Sequence, residues 1–234
     1  MSVVTETISA NLRRVGECIA RAASRANRDP AEVTLVAVTK TQPADAIRAA
    51  YEAGVRHFGE NRVQEWETKR PLLEDLQATW HLIGHLQSNK VPRAVRLFTR
   101  VDSVDSVALA TRIDRYAAGD NATVPILIEV RMDPAPTKEG VSPETIHEIA
   151  DAILALPRLQ LRGLMCVPPL FAEAEQVRPY FRGLRQLRDT LVRHYGIALP
   201  ELSMGMSHDF EIAIEEGATH VRIGTAIFGR RPPA

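Results

Sequence analysis

Eight short apolar runs alternate with amphipathic, helix-like segments along almost the whole chain. Runs of this length, rich in valine, isoleucine and leucine, predict strands that are buried on both faces, as in parallel sheets. They lie at 33–42, 55–58, 79–83, 98–102, 124–130, 159–167, 199–204 and 219–223. Eight parallel strands in 234 residues favour a closed (β/α)8 TIM barrel, with an open doubly wound sheet as the alternative.

An extra helix is predicted ahead of the first strand. Residues 4–26 place Leu12, Val15 and other apolar side chains at helical spacing, which indicates an amphipathic helix. Only ten residues follow Gly224, where the last strand ends, and they are too few for a full closing helix. We therefore expect the N-terminal helix to cover the gap in the outer layer.

Composition narrows the classes of function. Lys plus Arg and Asp plus Glu number 29 each, so no net field favours nucleic acid or an anionic membrane. Two cysteines, Cys18 and Cys166, make neither a disulfide framework nor a metal cluster. The N-terminus has no signal-peptide core, and no apolar run approaches the ~20 residues of a membrane span. We expect a single domain over residues 1–234, located in the cytoplasm.

The first strand ends in a lysine. Segment 33–42 reads VTLVAVTKTQ, so Lys40 comes where the apolar run stops. Open α/β sheets and α/β barrels bind their ligands at the C-terminal ends of the strands. Lys40 is therefore a candidate ligand-binding residue. The alternative is a lysine that only marks the end of a strand and points into water.

The loops after the last two strands carry glycines and hydroxyl side chains. Ser207 lies between the seventh strand and a helix, and Gly224 and Thr225 follow the eighth strand. Barrels frequently bind phosphate at these two loops through backbone N–H groups and a helix N-terminus. Ser207 is also predicted as the N-cap of its helix, with Asp209 and Glu211 in the first turn. The alternative to a phosphate site is that Ser207 only caps the helix.

Strand alternation places an arginine inside the barrel, because Arg222 shares a face with His220 and Gly224. An unpaired buried guanidinium is costly, so Arg222 needs an acceptor. That acceptor is either a barrel carboxylate such as Glu129 or a ligand. A lysine on the first strand, an inward arginine on the eighth and a phosphate site beside it outline a site for pyridoxal 5′-phosphate (PLP). Lys40 would form the Schiff base.

Two other patterns predict no chemistry. Ser207, His208 and Asp209 are consecutive, and neighbours in sequence do not converge as a catalytic triad. His81 and His85 have the spacing of metal ligands on a helix, but here a strand and a glycine lie between them. We therefore predict neither a catalytic residue nor a metal site.

The same residues belong to longer blocks that resemble the pyridoxal phosphate homeostasis proteins, a family similar to the barrel domain of alanine racemases. Two departures from the family pattern are the loop at 131–140 and Arg62, which stands where an aromatic residue is common. The matching blocks are VAVTK at 36–40, HFGENRVQE at 57–65, WHLIGHLQSNK at 80–90, GLMCVPP at 163–169 and LSMGMSHDFEIAIEEGATHVRIGTAIFG at 202–229.

The resemblance implies a barrel of the alanine racemase N-terminal type that holds PLP as a Schiff base on Lys40. Arg222 would face the pyridine nitrogen and disfavour its protonation, which weakens the cofactor as an electron sink. Three residues at the last two loops would hold the phosphate, and two more would lie near the ring. The implied cofactor-binding residues are Lys40, Asn61, Ser203, Ser207, Arg222, Gly224 and Thr225.

The resemblance further implies a role in vitamin B6 homeostasis as a PLP-binding protein without enzymatic activity. PLP-dependent apoenzymes are the implied recipients, and neither nucleic acid nor membrane is an implied partner. We expect a monomer.

Two enzyme functions remain as alternatives. An amino-acid racemase of the same fold type needs acid–base groups on both faces of the substrate Cα. In alanine racemases the resemblance assigns the second group to a tyrosine from a further C-terminal β-domain of the partner subunit, whereas this sequence stops at Ala234. A cofactor-free isomerase or aldolase of phosphorylated sugars uses the same phosphate site but leaves the inward Arg222 unexplained. The tyrosines, all in predicted helices, are Tyr51, Tyr116, Tyr180 and Tyr195.

Overall fold

Eight parallel strands form a closed barrel in the computed structural model, which describes residues 3–133 and 139–229. Each strand pairs with the next one in sequence, and the eighth pairs with the first. The strands are β1 Thr34–Val38, β2 His57–Glu60, β3 Thr79–Leu82, β4 Arg100–Val104, β5 Val124–Glu129, β6 Leu159–Met165, β7 Glu201–Ser203 and β8 His220–Ile223. This closure confirms the (β/α)8 prediction over the open doubly wound sheet.

Helices cover the outside of the barrel between successive strands. In the described ranges they are α1 Val3–Arg25, α2 Ala44–Glu52, α3 Val63–Lys69, α4 Val91–Leu97, α5 Val107–Gly119, α6 Ile146–Leu154, α7 Arg178–Tyr195, α8 Phe210–Glu215 and α9 Thr225–Phe228. Among them, none combines the length and the apolar character that crossing a bilayer requires.

The N-terminal helix covers the gap in the outer layer, as predicted. Helix α1 packs against α2, α8 and the short α9. Asn11 Nδ2 donates to the carbonyl oxygen of Ile227 over 2.7 Å, which joins α1 to α9. Arg25 pairs with Glu211 and Glu215 of α8 at 2.9 and 2.7 Å. Because α9 has only four residues, α1 takes the place of a full closing helix.

Two strands are shifted by two residues toward the C-terminus relative to their predicted positions. The runs at 55–58 and 98–102 gave strands that are observed as His57–Glu60 and Arg100–Val104. A strand predicted from apolar residues ends where a charged residue occurs. These strands nevertheless contain charged residues, because each of those side chains has an oppositely charged partner. Lys69 donates to Glu60 at 2.9 Å, and Arg100 has its own carboxylate partners inside the barrel.

The segment after β5 is tied together at its two ends. Arg131 N donates to the carbonyl oxygen of Val141 over 2.8 Å, and Val141 N donates to that of Glu129 over 2.9 Å. The loop predicted at 132–140 lies partly outside the described residues, which omit 134–138. The tie keeps the end of β5 next to the start of the following helical turn.

The main apolar core lies between the barrel and its helices. Trp66 of α3 stacks on Trp80 of β3 with 3.8 Å between ring centroids, and Phe58 of β2 stacks on the same Trp80 at 5.0 Å. All three rings are buried. Burial of such large apolar surfaces is the dominant favourable term in folding, so this layer holds the sheet against its helices.

The barrel interior near the N-terminal ends of the strands is polar, and we call this set of side chains the barrel-floor network. Asp102 accepts from Arg100 Nε at 2.6 Å, and His81 Nδ1 lies 2.7 Å from its other oxygen. Arg100 also donates to Glu201 over 2.5 Å, and His57 Nδ1 lies 3.0 Å from His81 Nε2. The network consists of His57, His81, Arg100, Asp102, Glu201 and His220.

Pairing offsets the cost of burying these groups. Burial alone raises the pKa of Asp102, but its His81 and Arg100 partners more than reverse this, so that the pKa lies well below its usual range. Burial lowers the pKa of His57 and of His220 to about 4. Both imidazoles are therefore neutral at neutral pH, and the 3.9 Å approach of His220 to the β7 carboxylate is not an ion pair there.

Candidate functional site

Lys40 lies two residues beyond the end of β1, on the rim at the C-terminal end of the barrel. Thr39 N still donates to the carbonyl oxygen of Gly59 over 2.9 Å, so the strand alternation continues up to that point. Lys40 therefore has the parity of Val38 and Val36, and Val36 is paired in register with Arg222 of β8. The lysine is half-buried. The structure thus places it at the end where barrels bind their ligands.

Arg222 lies inside the barrel and is almost fully buried, with 4% of its surface exposed. Its guanidinium donates to Ser203 Oγ over 2.7 Å and to the carbonyl oxygen of Cys166 over 2.9 Å. Both acceptors are neutral. The ion pair to Glu129 that the sequence left open is not formed, since no ion pair among the described residues includes Arg222. Burial accordingly lowers the pKa of Arg222.

The turns after β7 and β8 meet on the same rim. Ser207 follows β7, and Ala226 follows β8. Ser207 Oγ accepts from Ala226 N over 3.3 Å. Gly224 precedes the four-residue helix α9, and Thr225 is exposed at its first position. The predicted phosphate residues are therefore neighbours. Gly205 permits the close packing of this turn, because its φ is +92° and a Cβ there would lie 2.5 Å from that of Ala213.

Ser207 is not the N-cap of α8, so that prediction was wrong. The helix begins at Phe210, and the residue before it is Asp209, whose Oδ1 accepts from Met206 N over 2.6 Å. Glu211 lies in the first turn, as predicted. The sequence pattern could not show the extra turn, because the partner of Ser207 lies on a distant part of the chain.

Asn61 directly follows β2 and carries an unsatisfied polar atom. Its Oδ1 is buried and has no hydrogen-bond partner among the described residues. Gly84, after β3, packs on the Asn61 backbone so tightly that a Cβ would lie 2.4 Å from the Asn61 carbonyl oxygen. An unpaired buried acceptor is costly, which makes Asn61 a candidate for contact with a ligand.

A cavity of about 940 Å³ opens above the ends of β2, β3, β5 and β6. Asn61 lines it, but Lys40, Arg222 and the turns after β7 and β8 lie on the adjoining part of the rim, at β7, β8 and β1. The predicted residues therefore share one rim without all lining one cavity. The polar residues of the cavity wall are Asn61, Arg62, Gln64, His85, Gln87, Lys90, Glu129 and Glu139.

Glu129 also belongs to the candidate site, although the sequence suggested it only as a partner for Arg222. It ends β5, lines the cavity and is 6% exposed. Burial raises its pKa to about 7, and the carboxylate of Glu139 adds to this, while Arg222 opposes it. The sequence did contain a pattern for it, because the apolar run VPILIE ends in a carboxylate where strand five meets the rim.

The rim thus combines a primary amine, a buried cation with neutral partners, a free buried acceptor and two adjoining turns with exposed hydroxyl or amide groups. Such a set suits a small anionic ligand that carries an electrophilic carbon. Within the described ranges, no group of three or more His, Cys, Asp or Glu side chains is arranged to hold a metal ion.

Comparison with known proteins gives the same picture. A family model described as the N-terminal domain of alanine racemase matches residues 10–232. A pyridoxal phosphate homeostasis protein of Aquifex aeolicus is 48% identical over 220 residues, which cover 94% of this chain and 96% of that protein.

Solved structures extend the comparison to the fold. PipY of Synechococcus elongatus PCC7942, whose structure has PLP bound, is 42% identical and superposes with a TM-score of 0.82, covering 91% of this chain and 100% of that one. An alanine racemase of Clostridium difficile superposes with a TM-score of 0.74 over 97% of this chain and 58% of the racemase. It is 14% identical, so this likeness concerns the fold alone.

Proposed function

This chain belongs to the family of pyridoxal phosphate homeostasis proteins, within the alanine racemase N-terminal domain family, and we propose that it binds PLP as a carrier rather than as an enzyme. The observation that carries the proposal is the placement of Lys40 and Arg222 at the C-terminal ends of two paired strands, β1 and β8. Gly224 of the second turn directly follows β8, and a Cβ on it would lie 3.4 Å from Val38 of β1.

Three features of the rim fit PLP. The buried Asn61 Oδ1 has no partner among the described residues and is available to a polar group of the ring. Within the part of the chain that the structure describes, Arg222 donates only to neutral acceptors, Ser203 Oγ and a carbonyl oxygen, and so keeps its charge available to a ligand. A hydrogen bond from Ala226 N to Ser207 Oγ joins the turns that carry Ser207 and Gly224. The two turns are therefore close enough to bind one phosphate together.

We assign the attachment to Lys40. Bound PLP supplies an aldehyde carbon, which the neutral amine of Lys40 attacks; the new C–N bond becomes an imine, the Schiff base, and the aldehyde oxygen leaves as water. In this assignment Ser207, Gly224 and Thr225 hold the phosphate. In the same assignment, Asn61 and Ser203 lie beside the ring and do not contact the phosphate.

The positions of the tyrosines support a carrier over a racemase. A cation beside the pyridine nitrogen disfavours protonation of that nitrogen, and an unprotonated ring stabilises a substrate carbanion less. Racemisation also requires a second acid–base group opposite the lysine. The tyrosines of the described chain, Tyr51, Tyr116, Tyr180 and Tyr195, all lie in the outer helices α2, α5 and α7 rather than on the rim.

The cellular role follows from the same assignment. A protein that holds PLP on a lysine buffers its free aldehyde and returns it by the reverse reaction. We propose that a single-domain monomer does this in the cytoplasm and that PLP-dependent apoenzymes receive the cofactor. Neither nucleic acid nor membrane is part of the proposal.

The test is to reduce the PLP-loaded protein with borohydride and map the labelled peptide. We expect a visible absorbance band before reduction and a single label on Lys40. Lys40→Ala should lose both while its far-UV circular dichroism is unchanged. Lys90→Ala is the matched control, because Lys90 lies on the same end of the barrel and lines the cavity; it should keep both.

Three outcomes would count against the proposal. A label on a lysine other than Lys40 overturns the attachment. A protein that takes up no PLP favours the cofactor-free isomerase or aldolase. Turnover of L-alanine to D-alanine well above the buffer rate favours the racemase.

A further inference from the structure

We propose that Glu65 and Lys69 of α3, which we call the α3 clamp, are positioning residues for Lys40. They fix the two peptide groups on either side of it and thereby aim its amine at the PLP aldehyde. This inference rests on the proposed function, since it concerns how Lys40 performs the capture.

The clamp contacts the chain on both sides of Lys40. On the N-terminal side, Lys69 Nζ donates to the carbonyl oxygen of Thr39 over 2.8 Å. On the C-terminal side, Thr41 N donates to Glu65 Oε1. That carbonyl belongs to the peptide bond entering Lys40, and that N–H belongs to the peptide bond leaving it. The φ and ψ angles of Lys40 lie between these two fixed groups, so the clamp sets the direction of its Cα–Cβ bond.

The two clamp residues also hold each other. Lys69 Nζ donates to Glu65 Oε1 over 2.6 Å, one helical turn apart, and to Glu60 Oε1 over 2.9 Å. Thr39 Oγ1 donates to the same Glu60 oxygen over 2.8 Å. Only 12% of the Lys69 side chain and none of the Glu60 side chain is exposed. The contacts to Glu60 are therefore shielded from solvent, and shielded ion pairs are stronger than exposed ones. The Glu65 side chain is 24% exposed.

The turn that carries Lys40 needs such support. Thr41 has φ of +64°, a left-handed conformation that a β-branched residue rarely adopts. Residues persist in this region when surrounding contacts determine them, and such positions cluster at functional sites. Without the bond to Glu65, Thr41 can relax toward an ordinary conformation, and Lys40 rotates with it.

Two substitutions of Glu65 separate positioning from charge. Glu65→Ala removes the acceptor of Thr41 N–H, whereas Glu65→Gln keeps a carbonyl oxygen there and loses only the charge. Displacement of a reacting group by ~1 Å costs about 100-fold in rate. We expect PLP capture, followed by stopped-flow absorbance on protein freed of PLP, to slow about 10- to 100-fold in Glu65→Ala and to stay near wild type in Glu65→Gln.

The affinity for pyridoxine 5′-phosphate distinguishes positioning of Lys40 from a general structural role of Glu65. A structural role would change this affinity, whereas positioning of Lys40 would not. Pyridoxine 5′-phosphate carries the same phosphate and ring with an alcohol in place of the aldehyde, so it binds without forming a bond to the lysine. Calorimetry should give equal affinities for wild type and both variants. Glu67→Gln, on the exposed side of α3 where Glu67 pairs with Arg93 at 3.2 Å, is the control and should match wild type throughout.

The outcomes are distinct. Capture by Glu65→Ala at the wild-type rate overturns the clamp, and so does a parallel loss of pyridoxine 5′-phosphate affinity. If Glu65→Ala does not fold, the neutral double variant Glu60→Gln/Lys69→Met removes the contact to Thr39 instead and should show the same slow capture. A wild-type protein that borohydride does not label on Lys40 refutes the proposed function, not the clamp alone.

Discussion

In the described part of the chain, buried charged groups have oppositely charged partners at one end of the barrel interior and lack them at the other. At the floor, every carboxylate has a cationic or imidazole partner: Asp102 has Arg100 and His81, and Glu201 has Arg100 and Arg162. At the rim, Arg222 donates only to neutral acceptors among the described residues. In the same part of the chain, Asn61 Oδ1 has no hydrogen-bond partner, and Glu129 forms no ion pair.

This difference separates stability from binding within one barrel. A satisfied network gains nothing from a ligand and loses much when one member is removed. Groups left unsatisfied cost stability in the free protein and recover it when a ligand supplies the missing contact. The same division holds in barrel enzymes, whose N-terminal face serves stability and whose C-terminal face carries the site.

The largest effect is expected from Asp102→Ala at the floor. The substitution leaves the Arg100 charge short of one buried partner, which costs about 3–5 kcal/mol. Urea unfolding should show a loss of this size, while PLP binding per folded molecule is retained. Asp105→Ala is the matched control on the rim side of the same region, where Asp105 contacts His85 at 3.3 Å. Equal losses from the two variants would contradict the division.

Acid should destabilise the protein by protonating His220 of the barrel-floor network. The pKa of His220 is lowered to about 4 in the folded chain, and that of an unfolded histidine is about 6.5. Between these values the unfolded chain binds a proton that the folded chain does not, so the free energy of unfolding falls as pH drops from 6.5 to 4. The loss from this group is about 3 kcal/mol at most.

Replacing that histidine isolates its contribution. The plot of unfolding free energy against pH should be less steep for His220→Gln than for wild type, by about one proton between pH 4 and 6.5. Parallel plots for the two proteins would show that His220 titrates in the folded state as it does in the unfolded one.

The rim should respond to pH with the opposite sign. The pKa of Glu129 is raised to about 7, above its unfolded value, so its contribution to stability is greatest at low pH and is lost as pH rises from 4.5 to 7. Glu129→Gln removes that loss. In protein freed of PLP, the variant should gain about 3 kcal/mol over wild type at pH 8 and almost nothing at pH 4. A variant that is less stable than wild type at pH 8 would place Glu129 in a network like that of the floor.

The smallest change in stability is expected from Asn61→Ala. Removing an acceptor that has no partner in the described chain is nearly neutral, within about 0.5 kcal/mol. PLP should bind more weakly, by about 1 kcal/mol, because the hydrogen bond to the ligand is lost. Equilibrium titration and urea unfolding of the same variant measure the two effects side by side. A loss of stability without a loss of affinity would assign Asn61 to the fold instead.

Much of the architecture could be predicted from periodicity. The eight apolar runs, the early helix at 4–26 and the short tail after Gly224 are local features, and burial on both faces of a parallel strand leaves a local pattern. Arg222 was also predicted to face inward, because alternation along a strand depends on the backbone alone.

The strand limits, the role of Ser207 and the contact set of Arg222 were not predictable in this way. Each depends on a partner far along the chain: Arg100 on Glu201, Ser207 on Ala226, and Arg222 on Cys166. Such contacts satisfy buried polar groups only after the barrel has closed.

By itself, then, the sequence determined the alternation of strands and helices and the placement of Lys40 at the C-terminal end of the barrel, because these follow from local burial and chain direction. Only the tertiary structure decided which buried charges have an oppositely charged partner and which have neutral partners. The physical reason is that the energy of a buried polar group depends on its nearest partner in space, and the order of residues along the chain does not specify that partner.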